Sequence, residues 1–489
     1  MPSPQMPAYE QRLEAALAAR RDRQMLRALD PAPPASTDLV DFSSNDYISF
    51  AQSQELRLKL LTTLHDDPEA RVYGPPSSRL LDGNSPAHAA LERRLAQFFA
   101  APSALLFNSG FDANVGLWTC LADREDWIVF DELVHASMHD GMRGSRVPAE
   151  RRQAFRHNSV SGLARRLEEI VAGDEGVRLG KKSVWVGVES LYSMDGDLAP
   201  LTEIVETVER LLPRGNGHVI VDEAHSTGLY GPNGRGLVSA LGLEQRVLVR
   251  VHTFGKAMAC SGAAVLASPL IRSYLINYAR PLIYSTAMTH LSVLAIDKSL
   301  EMLEEGKADQ RAAKVHALAS RLVRRLAAAL PPSSAEHGLV LPPHLMSIVA
   351  APSTPESHRV SVPPTEGRQR RLSRVPPPQP PPPPPITSPI IPLLTPSPRP
   401  LSAFLRTKGF LVRAITYPTV PRGQERIRVC LHARNEVREV DGLVEALGEW
   451  ISARGEGAAG KVEEQEQGGA GAVGLGRMGG AQVALRARL

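Results

Sequence analysis

The chain has 489 residues, of which 43% are hydrophobic and 22% are charged, and its net charge is +4. This length and composition predict a globular protein of two or three structural units, and so small a charge gives no indication of nucleic-acid binding. Three cysteines, far apart and odd in number, predict neither a disulfide framework nor a metal site. No apolar run is long enough to span a bilayer, so we expect no membrane partner.

The first predicted element is an amphipathic helix over residues 10 to 30, which ends at the prolines between 31 and 34. Its charged pattern lacks an apolar core and argues against a secretory signal. From about residue 41 to 285, short apolar runs alternate with helical patterns. This alternation is typical of a mostly parallel sheet covered by helices on both faces. The runs predict strands at 104–107, 127–130, 184–188, 219–221 and 247–251.

A long helical stretch from about residue 291 to 330 is expected to lead into a smaller C-terminal domain. Within that domain, prolines 376–378 and 380–385 cannot form core sheet or helix, because proline has no amide hydrogen. They predict a polyproline-like insertion at about 350–387, and we favour a solvated spacer over a ligand for an SH3- or WW-type domain. The predicted units are an N-terminal helical segment (1–45), a large domain (46–290), a small domain (291–452) and a flexible tail (453–489).

The last three residues, Ala487, Arg488 and Leu489, have the small-basic-leucine chemistry of the Ser-Lys-Leu peroxisomal address. The Gly/Ala/Glu-rich tail before them is expected to leave the tripeptide accessible to an import receptor. We therefore expect a peroxisomal protein. The alternative is an ordinary disordered end on a cytoplasmic protein.

Two of the predicted strands are followed by residues that suggest one cofactor. Asp222 follows the first of these strands, and Lys256 follows the second in a run of small residues. This pair indicates pyridoxal phosphate (PLP), because the lysine can form the Schiff base and the acid can pair with the pyridinium nitrogen. Thr253 could hold a phosphate oxygen, and His225 could reach the ring oxygen. The ordinary alternatives are a solvated lysine, a helix-capping acid and a partly buried histidine.

Three further runs offer contacts to the same cofactor. Ser109, Gly110 and Phe111 open a helix after a predicted strand, so their backbone amides could cradle an anion. His135 could stack on the pyridine face, and Ser193 could donate its hydroxyl to the ring oxygen. The sequence contains no metal constellation, Ser-His-Asp order or Walker loop.

Together these runs resemble the α-oxoamine synthases, a PLP-dependent family of aminotransferase fold type I. The resemblance extends from about residue 10 to 450, apart from the proline insertion. It implies an α/β fold with a large, mostly parallel-sheet PLP domain and a smaller α+β C-terminal domain. The motifs that carry it are FSSNDY (42–47), SGF (109–111), HAS (135–137), SMDGD (193–197), DEAHSTG (222–228), GRG (234–236) and TFGK (253–256).

The resemblance also implies a role for each matching cofactor position. Lys256 would be the Schiff-base lysine and the base that removes the α-proton. Asp222 would pair with the pyridinium and His135 would stack on it. Ser193 and His225 would contact the ring oxygen. The residues that would hold the other end of the cofactor are Gly110, Phe111 and Thr253.

The substrate positions are implied in the same way. Arg428 would bind the amino-acid carboxylate as a fork. In a homodimer with shared active sites, Ser285 and Thr286 would reach the phosphate in the partner subunit. The remaining substrate positions would be Arg27, Asn45 and Thr419.

Among the branches of the family, the runs at 261–265, 282–288 and 418–421 look most like the one that makes 8-amino-7-oxononanoate for biotin. The implied reaction is a decarboxylative condensation of L-alanine with pimeloyl-CoA. Two runs depart from the family pattern near the acyl side: 74–79 is proline-rich instead of glycine-rich, and 416–419 lacks an arginine. The alternatives are a different amino acid and acyl-CoA pair, or a non-catalytic binding protein on this fold.

Overall fold

The structure is a computed structural model that describes residues 7–23, 25–27, 29, 39–67, 74–330, 338–350 and 387–466. Within the described residues, no helix is long and apolar enough to cross a membrane. Almost all of the proline insertion and the C-terminal tripeptide lie outside the described residues, so the expectations about them stay predictions.

The strands occur in three sheets. The largest has seven strands, in the order β2-β8-β7-β6-β5-β3-β4, and β8 is antiparallel to both of its neighbours. A three-stranded antiparallel sheet, β11-β12-β9, lies in the small domain, and β1 pairs in parallel with β10. The strands are β1 (Val40–Asp41), β2 (Ser103–Phe107), β3 (Trp127–Asp131), β4 (Arg152–Phe155), β5 (Val184–Glu189), β6 (Gly217–Asp222), β7 (Val249–Thr253), β8 (Ala263–Ala267), β9 (Ile390–Leu394), β10 (Phe410–Leu411), β11 (Arg413–Ile415) and β12 (Arg426–Cys430).

Helices cover both faces of the large sheet and support the small one. They are α1 (Ala8–Asp22), α2 (Gln54–Asp66), α3 (Pro86–Phe98), α4 (Gly110–Cys120), α5 (Ala136–Arg143), α6 (Val160–Gly173), α7 (Glu175–Arg178), α8 (Leu201–Leu211), α9 (Leu237–Ala240), α10 (Pro269–Tyr278), α11 (Arg280–Ile283), α12 (His290–Glu304), α13 (Lys307–Ala329), α14 (Met346–Ala350), α15 (Pro398–Thr407) and α16 (Val437–Glu466). Short 3-10 helices lie at Ala149–Arg151, Pro232–Gly234 and Pro343–Leu345.

All five strands expected from the sequence are present in the large sheet. Every residue of β5 and β7 is buried, because helices cover both faces of a parallel sheet. The sequence of β5 is accordingly apolar up to its last residue, Glu189, whereas β7 also buries Arg250 and His252. The sequence did not predict β4 or β8. The first is a short edge strand in which only Phe155 is buried, and the second is mostly alanine, a residue depleted in strands.

The helical stretch that was expected from about 291 to 330 is divided into α12 and α13. The break falls at Gly306, which adopts a left-handed conformation with φ of 73° and so ends the first helix. Near the N-terminus, α1 ends at Asp22 instead of near residue 30, and none of its residues is buried. At the other end, α16 continues to Glu466, so the tail boundary predicted at 453 falls inside a helix.

The carboxyl ends of the parallel strands meet along one edge of the large sheet. Asp131, Glu189, Asp222 and Thr253 are the last residues of β3, β5, β6 and β7, and Glu189 and Asp222 are register partners on neighbouring strands. This edge is the place where ligands bind in open parallel sheets. The fold therefore brings the polar side chains predicted to carry the chemistry to one place.

Candidate active site

A cavity of about 510 Å³ opens at this edge of the sheet. Its volume lies within the range of small-molecule sites. The residues of the predicted site that line it are Asn45, Ser109, Gly110, Phe111, His135, Asp222, His225, Thr253 and Lys256.

Lys256 lies in the tight turn between β7 and β8. The turn is closed by backbone hydrogen bonds from Phe254 N to Gly262 O at 2.9 Å and from Cys260 N to Phe254 O at 2.8 Å. The thiol of Cys260 also lines the cavity, and burial raises its pKa to about 12. The short turn places the lysine against the strand ends, where a cofactor could reach it.

The electrostatic surroundings of Lys256 make its amine easier to deprotonate. Burial lowers the pKa of the amine, and the nearby Arg428 lowers it further. The carboxylates of Asp222 and Glu189 oppose this shift. A neutral amine is the form that attacks an aldehyde or removes a proton, so the environment suits a covalent lysine.

The side chain of Asp222 is held by two hydrogen bonds. Asn114 Nδ2 donates to its Oδ2 at 2.7 Å, and the backbone N–H of Ala224 donates to its Oδ1 at 2.9 Å. The carboxylate is buried at the end of β6 and still lines the cavity. It is therefore fixed in one orientation, as a group that has to pair with a ring nitrogen requires.

Two histidines line the cavity. The ring of His135 is accessible to solvent, yet the protein packed around it lowers the pKa of the imidazole, and Lys256 lowers it further. The Nδ1 atom of His225 lies 2.7 Å from the hydroxyl of Tyr47. Burial, followed by the charge of Lys256, lowers the pKa of His225 well below its ordinary value. Both rings are therefore neutral near pH 7.

The start of α4 has the features of an anion site. Ser109 caps this helix by accepting a hydrogen bond from Asp112 N at 3.0 Å, which leaves the amides of Gly110 and Phe111 without partners inside the helix. Beside them, Thr253 Oγ1 is buried and has no hydrogen-bond partner within the described part of the chain. A hydroxyl and two helix-start amides fit the phosphate of PLP.

Four predicted residues line smaller cavities instead. Ser193 and Thr419 line one of about 50 Å³, and Ser285 and Thr286 line one of about 10 Å³. Asn108 lines both the smallest cavity and the main one, and its Nδ2 donates to Thr286 O at 2.9 Å. The roles assigned to these four residues stay predictions, and that of Ser285 and Thr286 concerns a partner subunit.

The two arginines predicted to bind substrate differ in their placement. Arg428 is buried, and it donates to Asn45 Oδ1 and to Ser193 O, each at 3.1 Å. Its Nε is buried and has no partner among the residues that the structure describes. Arg27 is exposed, and neither arginine lines any of the three cavities.

The sequence did not assign roles to several cavity residues. Asn114 lies four positions after Gly110 in α4, and that spacing places both on one face of the helix. Glu189 ends β5 as Asp222 ends β6, and burial together with Asp222 raises the pKa of its carboxyl well above the ordinary range. The helix spacing could have predicted Asn114, and the position at a strand end could have predicted Glu189. Ser137, which contacts His135, offered no such signal.

Two buried ion clusters brace the loops around the site. His157 lies between Asp131 and Asp197, at 2.9 and 2.8 Å, and the hydrogen bonds to both carboxylates outweigh burial and raise the pKa of the imidazole to about 10. Arg426, which is almost fully buried, pairs with Asp195 Oδ1 at 2.6 Å. Both clusters hold residues of the 193–197 run, whose carbonyls at Ser193 and Met194 also accept hydrogen bonds from Arg428 and Arg426 of β12.

Comparison with known proteins identifies relatives. The family model "Aminotransferase class I and II" matches residues 37–447. The 8-amino-7-oxononanoate synthase of Emericella nidulans is 43% identical over 90% of this chain and 95% of its own length. Aminoacyl transferase sphA of Aspergillus fumigatus is 32% identical over 94% of this chain and 92% of its own.

The solved structures agree on the fold. Serine palmitoyltransferase of Sphingomonas wittichii superposes with a TM-score of 0.70 at 22% identity, over 92% of this chain and 99% of that one. Another structure of serine palmitoyltransferase, with a TM-score of 0.68 at 21% identity, contains PLP; the match covers 92% of this chain and 100% of that one. The α/β fold expected from the sequence, with a large sheet domain and a small C-terminal domain, is confirmed.

Proposed function

Because the chain belongs to aminotransferase class I and II, and within it to the PLP-dependent α-oxoamine synthases, we propose that it condenses L-alanine with pimeloyl-CoA. The products are 8-amino-7-oxononanoate, CoA and carbon dioxide. The observation that carries the proposal is that Lys256, Asp222 and His135 line one cavity together with Thr253 and the start of α4. The 43% identity to an 8-amino-7-oxononanoate synthase supports the choice of substrates.

The predicted residues that line the cavity would each have a task in this reaction. PLP, when bound, supplies an electron sink that stabilises negative charge at the α-carbon of the amino acid. Lys256 would hold the cofactor covalently, and its amine would be the base for the α-proton. Asp222 would keep a proton on the ring nitrogen, and His135 would cover one face of the ring. Thr253 and the start of α4 would hold the phosphate.

In this proposal Arg428 orients the amino acid. Its guanidinium is buried, its two terminal nitrogens are engaged with Asn45 and Ser193, and its Nε is unpaired within the described ranges. A carboxylate that accepts from this Nε would replace a missing hydrogen bond to a buried charge, which is a strong contact. The same contact would hold the carboxylate at the α-carbon until it leaves as carbon dioxide.

A second candidate is another α-oxoamine synthase that joins a different amino acid to a different acyl-CoA. The relationship to aminoacyl transferase sphA and the missing arginine in the 416–419 run favour it. A non-catalytic binding protein is disfavoured because Lys256, Asp222 and His135 are all present in the cavity.

A matched substrate panel separates these candidates. Purified, PLP-loaded protein is given L-alanine, glycine or L-serine, each with pimeloyl-, octanoyl- or palmitoyl-CoA, and free CoA and product mass are measured. CoA release that is fastest with L-alanine and pimeloyl-CoA, with the mass of 8-amino-7-oxononanoate, is the expected result. Preference for another pair supports the second candidate, and failure to retain PLP contradicts both.

Two further parts of the proposal concern assembly and location. We propose a homodimer in which Ser285 and Thr286 complete the site of the partner, and light scattering on the purified protein tests the stoichiometry.

We also propose import into peroxisomes through residues 487–489. A fluorescent fusion that loses peroxisomal location when these three residues are deleted would support the second part, and an unchanged distribution would contradict it.

A further inference from the structure

A chain of hydrogen bonds joins the carboxylate of Asp222 to the ring of His135 through two residues without an assigned role. Asn114 Nδ2 donates to Asp222 Oδ2 at 2.7 Å and to Ser137 Oγ at 3.0 Å. Ser137 Oγ in turn lies 2.7 Å from His135 Nδ1, and the backbone N–H of Ser137 donates to the same nitrogen at 3.2 Å. Asn114 and Ser137 are both almost fully buried.

The donors and acceptors in this chain allow only one arrangement of protons. A carboxylate can only accept, so the amide nitrogen of Asn114 has to face Asp222, and its second proton goes to Ser137 Oγ. Because the backbone N–H of Ser137 donates to His135 Nδ1, this ring nitrogen carries no proton. Ser137 Oγ therefore accepts from Asn114 and donates its own proton to His135 Nδ1. The imidazole is neutral, with its proton on Nε2.

We propose that Asn114 and Ser137 are positioning residues that keep His135 neutral and so reserve the charge of Asp222 for the cofactor ring. The proposal deepens the proposed function and rests on it for the identity of the cofactor. A protonated His135 would compete with the ring nitrogen for the negative charge of Asp222. It would also place a positive ring beside a positive pyridinium, which is repulsive.

Protonation at Nδ1 is unfavourable because this nitrogen could then no longer accept from the hydroxyl and the backbone N–H of Ser137. Its new N–H would instead face the backbone N–H. The charged groups around His135 have opposing effects on its pKa. Lys256 disfavours the imidazolium, whereas Asp222 and Asp140 favour it. The titratable groups near the ring are Asp222, Glu189, His225, Lys256, His139 and Asp140.

The test replaces Ser137 with alanine in the full-length chain. Removal of one of two hydrogen bonds at Nδ1 is expected to tighten proton binding by His135 about two- to tenfold. The readout in the apoprotein is the nitrogen-15 spectrum of labelled histidine between about pH 5 and 8, in which His135 is identified by its disappearance in a His135→Asn variant. The Nε2–H form should persist to a lower pH in the wild type than in Ser137→Ala.

The second readout is the dissociation constant of PLP as a function of pH. At about pH 6 the dissociation constant should be about two- to tenfold higher in Ser137→Ala than in the wild type. By about pH 8 the two dissociation constants should be equal. Asn114→Ala should produce the same pH dependence, because the hydroxyl of Ser137 loses the donor that orients it. A purely structural defect would weaken PLP binding equally at every pH.

Ser145→Ala provides the matched control. The Ser145 hydroxyl donates to Met142 O at 2.7 Å just beyond α5, so the variant loses a comparable hydrogen bond away from the cavity. It should leave the His135 titration unchanged. The proposal is overturned if His135 titrates identically in Ser137→Ala, Asn114→Ala and the wild type. The histidine spectra need neither PLP nor acyl-CoA, so this outcome is distinguishable from a failure of the proposed reaction.

Discussion

Replacement of Gly110 by alanine is expected to weaken PLP binding by a defined steric route. A Cβ atom at this position would lie 2.3 Å from Thr253 Cγ2 and 3.3 Å from Thr253 Cβ. Gly110 is a helical residue without a positive φ, so alanine can adopt its backbone conformation. The clash therefore has to move Thr253, whose unpaired hydroxyl lies in the phosphate site.

The size of the effect follows from the cost of overpacking. An extra carbon in a packed site costs about 1–3 kcal/mol. If Thr253 relieves the clash by moving away from the cavity, most of that cost appears as lost affinity. The dissociation constant of PLP should then rise about 5- to 150-fold. The melting temperature of the apoprotein should change much less, because the displaced threonine borders an open cavity.

The assay is equilibrium binding of PLP to the apoprotein, with a compensating variant. Thr253→Ser removes the Cγ2 methyl that Gly110→Ala would contact and keeps the hydroxyl. The double variant Gly110→Ala/Thr253→Ser should therefore bind PLP more tightly than Gly110→Ala alone. Gly173→Ala at the end of α6, where a Cβ would meet nothing within 4 Å, serves as the control and should bind normally.

Two outcomes would refute this reasoning. If Gly110→Ala binds PLP as tightly as the wild type, the phosphate does not approach the start of α4. If the single variant is weak but Thr253→Ser brings no recovery, the loss arises at the helix start itself and not through the threonine.

Three further variants test the lysine and the two ion clusters. Lys256→Ala should abolish both CoA release and the PLP mass retained after borohydride reduction, and normal turnover would contradict its role. His157→Gln should be destabilised most below about pH 6.5, with a thermal difference from the wild type that closes as pH rises through about 10, since the raised pKa contributes stability only while the imidazole is charged. Asp195→Ala should cost about 3 kcal/mol in urea unfolding, because the buried Arg426 loses its counter-charge, whereas an unchanged midpoint would mean that water replaces the carboxylate.

Asp222, Thr253 and Lys256, which line the main cavity, could be predicted to meet there because they lie at or just after strand ends. A short apolar run predicts a strand, and the polar residue after it marks the carboxyl end of that strand, as at Asp222 and Thr253. Ligands bind at these ends in a parallel sheet, so the run predicts both the strand and the position of the site. The same rule would have identified Glu189, which ends β5 beside Asp222. In that run the sequence predicted only Ser193, four positions later, whose hydroxyl suits a ring oxygen.

The positioning residues could not be found in this way. Asn114 contacts Ser137 across 23 positions of sequence and Asp222 across 108, and both contacts depend on how α4 and α5 pack. No local pattern encodes such a pairing. The edge strand β4 and the alanine-rich β8 were missed for a similar reason, because neighbouring strands and not their own residues favour the extended conformation.

The residues predicted to bind the two substrates lie in different places. Asn45 lines the main cavity and accepts a hydrogen bond from the buried Arg428, whereas the 416–419 run, which departs from the family pattern, joins β11 to β12. The cavity that Thr419 lines measures about 50 Å³, room for only a few water molecules and not for an acyl chain. The acyl chain therefore has to enter the wider cavity beside Lys256 or a groove completed by a second copy.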